Sequence, residues 1–148
     1  MKKDKSKIPI EVITHGNRIV SAIDNHLHIK AEEIMGRSRR SEIVSARSIL
    51  FAIMTHECNF QVVDTASFVN MDHASVLHNL KTHRDLYETN HKDYKANFLH
   101  IKEEYYNIEK ELNTDQDESL LIKVDFLINE MLKIKQLIKS KIKEKQKV

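Results

Sequence analysis

Glycine and proline are so scarce in this sequence that their scarcity constrains the fold more than any other feature. The 148 residues include two glycines and one proline. These residue types provide the backbone conformations of tight turns, so a sheet with many hairpins is not expected. The sequence also lacks a glycine-rich loop of the kind that lets a backbone approach a nucleotide phosphate. It therefore predicts an all-α fold.

The apolar residues form no segment long enough to cross a membrane. They make up 41% of the chain, but no uninterrupted run approaches the roughly 20 residues that a bilayer span needs. The apolar stretch at residues 8–13 is too short and too interrupted for the core of a signal peptide. We therefore expect no membrane partner and a cytoplasmic location.

Cysteine and histidine give no sign of a metal site or a catalytic centre. Cys58 is the only cysteine, which excludes an internal disulfide and a cluster of thiolate ligands. His73, His78 and His83 follow one another at spacings of five, whereas a zinc pair on one helix face needs a spacing of four. No pairing of serine or cysteine with histidine indicates a nucleophile. The prediction is a protein without enzymatic activity, metal or cofactor.

Three helices are predicted in the first part of the chain. Residues 10–26 carry apolar side chains at helical spacing. A short helix over residues 30–35 should end at Gly36, in the left-handed conformation that glycine accepts. Ser41 is placed to cap a third helix that runs to about residue 57. One face of this third helix is apolar, so Arg47 is expected to point away from the core.

Two further helices are predicted on either side of a tight turn. The first begins at Asn59 or a neighbouring residue and ends near Phe68. The second follows Asp72, whose carboxylate can accept hydrogen bonds from the first N–H groups of a helix, and ends near Tyr87. Asn70 lies in the turn and can adopt a left-handed conformation.

From residue 90 onward the apolar residues repeat in steps of three and four, the heptad pattern of packed amphipathic helices. The first set is Tyr94, Phe98, Ile101, Tyr105, Ile108 and Leu112, and the second is Leu120, Val124, Leu127, Met131, Ile134 and Ile138. Residues 113–117 separate the sets, and Asp115 is placed to cap the second helix. A short connection favours an antiparallel hairpin that packs on the domain core. The alternative is a coiled coil that joins two copies of the chain as a homodimer.

Positive charge is concentrated just before and within the third helix. Arg37, Arg39, Arg40 and Arg47 occur there with only Glu42 to oppose them. Local basic patches of this kind set the affinity of a protein for nucleic-acid phosphates. Arginine on a loop can also enter the narrow, electronegative minor groove of DNA.

Two segments together resemble one known family. They are GRSRRSEIVSAR at residues 36–47 and DHASVLH at residues 72–78. In this order and at this separation they resemble the C-terminal DNA-binding domain of the bacterial chromosomal replication initiator DnaA, whose signature contains a DH(T/A/S)(T/S)VLH segment. The resemblance covers about residues 19–100 and implies a Trp-repressor-like helix-turn-helix that binds double-stranded DNA.

The resemblance also implies roles for particular residues. Arg39 matches the arginine that this family inserts into the minor groove, and Arg47 matches an arginine that contacts DNA from the following helix. Residues 72–75 match the start of the recognition helix, which enters the major groove. The predicted DNA-binding residues are Arg37, Arg39, Arg40, Arg47, Asp72, His73, Ala74, Ser75, His78 and Lys81.

The sequence departs from the family at three places. Ala74 stands where many members have threonine, so the target DNA sequence is expected to differ. Residues 60–70 contain no glycine, whereas the family usually has an Ile-Gly pair and a glycine before the turn. Met71 stands where an arginine is common, which removes a phosphate contact and should weaken binding.

These features predict sequence-specific DNA binding in replication control or transcriptional regulation, at the bacterial nucleoid or on a phage or mobile element. A replication initiator is expected as a further partner. The chain contains no GxxxxGK[ST] loop, so the ATPase module of DnaA-type initiators is not expected. The alternative is an adaptor with a vestigial DNA-binding module, whose C-terminal helices bind proteins.

The predicted organisation has three parts. A basic disordered tail is expected over residues 1–9, followed by the DNA-binding domain over residues 10–90. The helical hairpin is expected over residues 91–148, because the heptad pattern begins there.

Overall fold

The computed structural model describes residues 8–146, and all regular elements within that range are helical. The described residues divide into two compact units, residues 8–108 and residues 109–146. Most of the tail predicted over residues 1–9 lies outside the described residues. Ile8 is described, and it is buried in the core of the first unit, so the structured part begins before the first helix.

The first unit consists of five helices and the beginning of a sixth. They are α1 (Ile10–Leu27), α2 (Ala31–Met35), α3 (Ser41–Ala52), α4 (Val62–Val69), α5 (His73–Thr89) and α6 (Tyr94–Gln146). A π-helical turn, Ile53–Glu57, continues α3, and a 3₁₀ turn, His91–Asp93, precedes α6. The predicted all-α fold is confirmed.

Helix α1 packs one face on the core and brings α4 close to its backbone. Its buried residues include Val12, Ile19 and Ile23. Gly16 lies on the same buried side, under the ring of Phe68 from α4. A methyl group at position 16 would lie 2.6 Å from Cζ of that ring. The glycine therefore permits a close approach of the two helices.

The connection from α2 to α3 differs from the prediction in two details. Gly36 follows the last residue of α2, but its φ of −81° and ψ of −169° are extended rather than left-handed. Ser41 is the first residue of α3, and Arg40 occupies the N-cap position without a side-chain cap. Both expectations were wrong because Gly36 is extended and the segment between the helices is held by hydrogen bonds from Arg47 to the carbonyl oxygens of Gly36 and Ser38.

Helix α3 is the central helix of the first unit. The predicted end near residue 57 is confirmed by the π-helical turn. The prediction of a single apolar face was wrong, because every residue of α3 from Ala46 to Ala52 is buried. Arg47 is only 5% exposed. It could not point away from the core, because a helix surrounded on all sides offers no solvent-facing side at that position.

The helix-turn-helix consists of α4 and α5. Helix α4 begins at Val62 instead of near Asn59, whose φ of 57° interrupts the helical backbone. Asn70 adopts the left-handed conformation after α4, as predicted, with φ 57° and ψ 44°. Asp72 caps α5, also as predicted. The tight turn therefore forms without a glycine.

The start of α6 belongs to the core of the first unit. Tyr94, Phe98, Ile101 and Tyr105 are all buried in the same cluster as the side chains of α1, α3 and α4. The first heptad set therefore packs on its own domain as far as Ile108, whereas its last member, Leu112, is exposed. For this reason the first unit extends to residue 108, beyond the boundary predicted near residue 90.

The second unit, described to residue 146, is helical throughout. The turn predicted at residues 113–117 does not form, and Asp115 is an interior residue of α6, so the intramolecular hairpin was wrong. This segment contains neither glycine nor proline, and Thr114 donates to the carbonyl oxygen of Lys110, which is compatible with a helix interior. No helix within residues 8–146 is long and apolar enough to cross a membrane.

Candidate DNA-binding surface

Helix α5 presents a continuous exposed face. His73, Ala74, Leu77, His78 and Lys81 are exposed, and they follow one another at the spacing of one side of a helix. Arg84 continues this face one turn further. Four of these residues were predicted as DNA-binding residues, and the structure places all four on the same side of α5.

The opposite side of α5 attaches it to the rest of the domain. Val76 is fully buried. The carboxamide oxygen of Asn79 lies 3.5 Å from the hydroxyl oxygen of Ser48 on α3. Leu77 is 46% exposed, although its side chain is apolar. Leu77 is thus an apolar side chain in the middle of the polar face, and the motif alone did not show its orientation.

The first turn of α5 is fixed by its cap. The backbone N–H of Ser75 donates a 2.7 Å hydrogen bond to Oδ1 of Asp72. Hydrogen bonds from the side chain and then the backbone of Ser75 lower the pKa of Asp72, so the cap carries a charge at neutral pH. Ser75 is half-buried and engaged in this cap. It therefore orients the exposed residues beside it.

A second exposed group of residues lies in the loop before α3, which we call the arginine loop, residues 37–40. Arg37, Arg39 and Arg40 are exposed. Arg40 forms an ion pair with Glu42. A backbone hydrogen bond at Glu42, and then the side-chain hydrogen bond from Arg40, lower the pKa of this glutamate. Among residues 8–146, no carboxylate forms an ion pair with Arg37 or Arg39, so these two carry the unopposed positive charge of the loop.

Arg47 holds the arginine loop from the protein side. Its Nε donates to the carbonyl oxygen of Ile34 at 2.8 Å, and Nη1 donates to that of Ser38 at 2.7 Å. Its Nη2 donates to the carbonyl oxygens of Gly36 at 2.7 Å and Glu33 at 3.4 Å. Burial lowers the pKa of the guanidinium. These four hydrogen bonds make Arg47 a positioning residue for the loop.

The arginine loop and the start of α5 are connected through α3. The loop leads into Ser41, and Ser48, seven residues later, contacts Asn79, which is seven residues after Asp72. Seven residues correspond to about 10 Å along a helix, so Ser41 and Asp72 lie within about 30 Å of each other. This separation is less than one turn of B-DNA, about 34 Å.

Two histidines of the first unit lie within hydrogen-bond distance of tyrosine hydroxyls. The Nδ1 atoms of His83 and His15 lie 2.7 Å from the hydroxyl oxygens of Tyr94 and Tyr105, respectively. Burial, and to a smaller extent the charge of His56, lowers the pKa of His83 to about 4. Within the described part of the chain, no three histidine, cysteine, aspartate or glutamate side chains are grouped so as to hold a metal ion.

A known protein family matches the part of the chain that contains the helix-turn-helix. Residues 17–82 match a family described as the bacterial dnaA protein helix-turn-helix. The matched segment begins in α1, includes the arginine loop and α3, and ends in α5 just after Lys81. No solved structure matches the chain.

Proposed function

We propose that this protein, whose residues 17–82 match the bacterial dnaA protein helix-turn-helix family, binds DNA and recognises a specific sequence in the duplex. The exposed face of α5 is the observation that carries the proposal. Its first turn carries the short side chain of Ala74 beside the polar side chain of His73, and His78 follows on the same face one turn further along. Such a turn can approach base edges in the major groove, which is wide enough to admit a helix.

The chemistry of this turn suggests how it reads bases. His73 can donate or accept a hydrogen bond at a base edge or a phosphate oxygen. Ala74 offers a methyl group, which suits contact with the methyl group of thymine. Lys81, two turns along the exposed face, can reach a backbone phosphate. The helix therefore combines base contacts near its start with a positioning contact further along.

The arginine loop supports a second contact. We propose that Arg39 enters the minor groove next to the bound major groove, where its guanidinium is attracted by the negative potential. Arg37 and Arg40 lie on either side and can contact phosphates. Arg47 acts indirectly in this proposal, because its hydrogen bonds to the carbonyl oxygens of Gly36 and Ser38 hold the loop in place.

We further propose that the protein acts in replication control or transcriptional regulation without hydrolysing ATP. The sequence given contains no GxxxxGK[ST] loop, so this chain offers no phosphate-binding loop of its own. It would then act by occupying sites, and by competing with an initiator or recruiting one. A location at the bacterial nucleoid, or on phage or mobile-element DNA, follows from a DNA partner.

Selection of bound sequences from a random duplex pool tests the proposal directly. The expected result is one enriched motif whose affinity exceeds that of unrelated duplex by at least about 1,000-fold. The affinity should fall steeply between 50 and 200 mM salt, as phosphate contacts require, in the range of about 10³ to 10⁵ for six to ten contacts. Failure to enrich any motif, together with no binding at low salt, would refute DNA recognition.

A protein-interaction adaptor remains the second candidate, because the second unit exposes many large apolar side chains. Leu120, Leu121, Ile122 and Phe126 are each at least 57% exposed. Exposed apolar surfaces of this extent mark interaction sites. The two candidates differ in their response to Arg39→Ala, which should weaken a DNA-dependent activity and leave a purely protein-dependent one intact.

A further inference from the structure

The second unit exposes an apolar seam along α6. We define this seam as the six residues Leu120, Val124, Leu127, Met131, Ile134 and Ile138, which alternate in steps of four and three. Their exposed fractions lie between 49% and 69%. Most helical stability in proteins comes from packing an apolar face against a partner, and not from intrinsic propensity. A helix with this seam therefore needs a partner surface.

The seam is symmetric about Asn129. Leu120 and Ile138 are each nine residues from Asn129, Val124 and Ile134 are each five residues away, and Leu127 and Met131 are each two residues away. In an antiparallel coiled coil, each layer combines an a position of one helix with a d position of the other. The heptad pattern assigns Val124, Met131 and Ile138 to a and the other three to d. Every mirror-related pair thus joins an a residue to a d residue.

We propose that residues 109–146 form an antiparallel two-stranded coiled coil with a second copy of this chain, with the two-fold axis at Asn129. A dimer of this kind is isologous, since each seam residue meets its mirror-related residue in the partner. The inference stands independently of DNA binding. The sequence predicted an antiparallel hairpin within one chain. The proposed dimer also pairs antiparallel helices, but the two helices belong to different chains.

The distribution of charge along residues 109–146 favours antiparallel over parallel pairing of the two helices. Residues 109–118 contain five carboxylates and one lysine, a net charge of −4. Residues 135–146 contain five lysines and one glutamate, a net charge of +4. In the antiparallel arrangement the acidic end of each helix lies beside the basic end of the other. A parallel arrangement would place both acidic ends together and both basic ends together, and like charges repel.

The heptad positions directly before and after the seam also carry opposite charges. Asp117 is an a position and Lys141 is a d position, and each is twelve residues from Asn129. The antiparallel dimer therefore pairs Asp117 with Lys141 of the second copy at both ends. A parallel dimer would instead place Asp117 opposite its own copy. Charged residues beside the seam are known determinants of partner choice and helix direction.

Ile128 and Glu130 lie one residue on either side of Asn129. In the proposed dimer each would lie beside the same residue of the second chain. Ile128, 49% exposed, flanks the seam and would pack on the same residue of the second chain. Glu130, on the other flank, would face a like charge. Lys133 of its own chain lies 3.4 Å from the Glu130 carboxylate and offsets that repulsion. The apolar flank at Ile128 adds to the area that the dimer buries.

Two neighbouring residues provide a matched test of the seam in the full chain. Leu127 lies in the seam and Phe126 lies on the other side of the helix, and their exposed fractions are 60% and 62%. Leu127→Asp should raise the dimer dissociation constant by about 100-fold or more, because it places a charge in the buried layer. Phe126→Asp, with the same added charge, should leave it within about threefold. Light scattering over a concentration series measures both.

A charge exchange tests the direction of the helices. Asp117→Lys should weaken the antiparallel dimer, because it places two lysines together at each end. Adding Lys141→Asp should restore the wild-type affinity. In a parallel dimer, each of these changes merely replaces one like-charged pair by another, so affinity would not change.

Cysteine cross-linking tests the direction without relying on affinity. In a Cys58→Ser background, Leu120→Cys and Ile138→Cys chains should each fail to form disulfide-linked dimers alone and should form them when mixed. Disulfide formation by Leu120→Cys alone would overturn the proposal, since it requires parallel helices. A monomeric wild-type chain at micromolar concentration, or an assembly larger than a dimer, would also overturn it.

Discussion

The guanidinium of Arg47 lies 2.7 Å from the backbone carbonyl oxygen of Ser38, nine residues earlier in the chain. This contact joins the interior of the domain to the middle of the arginine loop. Ser38 lies between two exposed arginines, and its hydroxyl accepts a hydrogen bond from the backbone N–H of Arg40. The loop conformation therefore depends on a side chain that is itself inaccessible to a ligand.

Replacing Arg47 should damage stability first and DNA binding only as a consequence. Arg47→Met keeps the aliphatic bulk and removes the donors to the buried carbonyl oxygen of Ile34 and to the partly buried ones of Glu33, Gly36 and Ser38. Unpaired buried acceptors are costly, so we expect a loss of about 3 kcal/mol in the free energy of unfolding. Urea denaturation followed by circular dichroism measures it. Arg37→Met is the control, because this exposed side chain should change stability by less than about 0.5 kcal/mol.

Arg39→Ala should reduce DNA binding without reducing the stability of the protein. Arg39 is exposed and forms no ion pair among residues 8–146, so the variant should unfold at the wild-type urea concentration. Its affinity for the selected duplex should fall by about tenfold or more, and the salt slope should decrease by about one if the guanidinium also neutralises a phosphate. Fluorescence anisotropy with labelled duplex provides both values.

The charge-matched control for Arg39 is Lys30→Ala. Lys30 is an exposed cation at the start of α2, outside both the arginine loop and α5, where it pairs with Asp24 at 3.5 Å. Removing it lowers the net charge equally. If the two variants lost the same affinity, general electrostatic attraction would explain binding, and the minor-groove contact of Arg39 would be wrong.

Local sequence rules predicted the helix-turn-helix well. Asp72 caps α5 and Asn70 adopts the left-handed conformation because each feature depends on the chemistry of a single residue and its immediate neighbours. These are the features for which sequence and structure depend on the same short-range interactions.

Long-range packing decided what the sequence could not predict. Arg47 occupies a position that periodicity leaves open, and only the surrounding helices bury it. The residues at 113–117 favour a helix terminus in isolation, but none of them prevents a helix from continuing. The first heptad set packs on the domain as far as Ile108, whereas the second is exposed, although the two patterns look alike in the sequence.

Gly16→Ala should destabilise the domain even though alanine favours helices. The substitution gains about 1 kcal/mol from intrinsic propensity. However, the new methyl group would lie 2.6 Å from Cζ of Phe68, a buried ring that cannot move freely. Overpacking of this kind costs about 1 to 3 kcal/mol, so a net loss of about 1 kcal/mol is expected in urea denaturation.

A double-mutant cycle assigns the effect of Gly16→Ala to this contact. Phe68→Leu removes the atoms closest to position 16. In that background Gly16→Ala should become neutral or stabilising, which would give a coupling energy of about 1 kcal/mol or more. Additive effects of the two substitutions would show that the backbone at Gly16, and not the Phe68 ring, limits the site.

The stability of the first unit should decrease on acidification because of His83. Its folded-state pKa is about 4, lowered mainly by burial and further by His56, against an ordinary value of 6.5. Between these values the unfolded chain binds a proton that the folded chain does not, so stability falls as the pH decreases from about 6.5 to about 4. The shift would correspond to about 3 kcal/mol for a fully buried group, and partial exposure reduces the expected loss to about 1 to 2 kcal/mol.

His83→Gln separates this contribution from that of the carboxylates. Glutamine does not titrate and can still form a hydrogen bond with the hydroxyl of Tyr94, which lies 2.7 Å from Nδ1 of His83. The variant should therefore lose less stability than the wild type between pH 6.5 and pH 4.5, in urea denaturation at each pH. Glu57, whose pKa is lowered by Lys102 and then by Tyr106, destabilises both proteins equally in more acidic solution. Parallel stability curves for the two proteins above pH 4.5 would contradict the assignment to His83, because they would place the titrating group elsewhere.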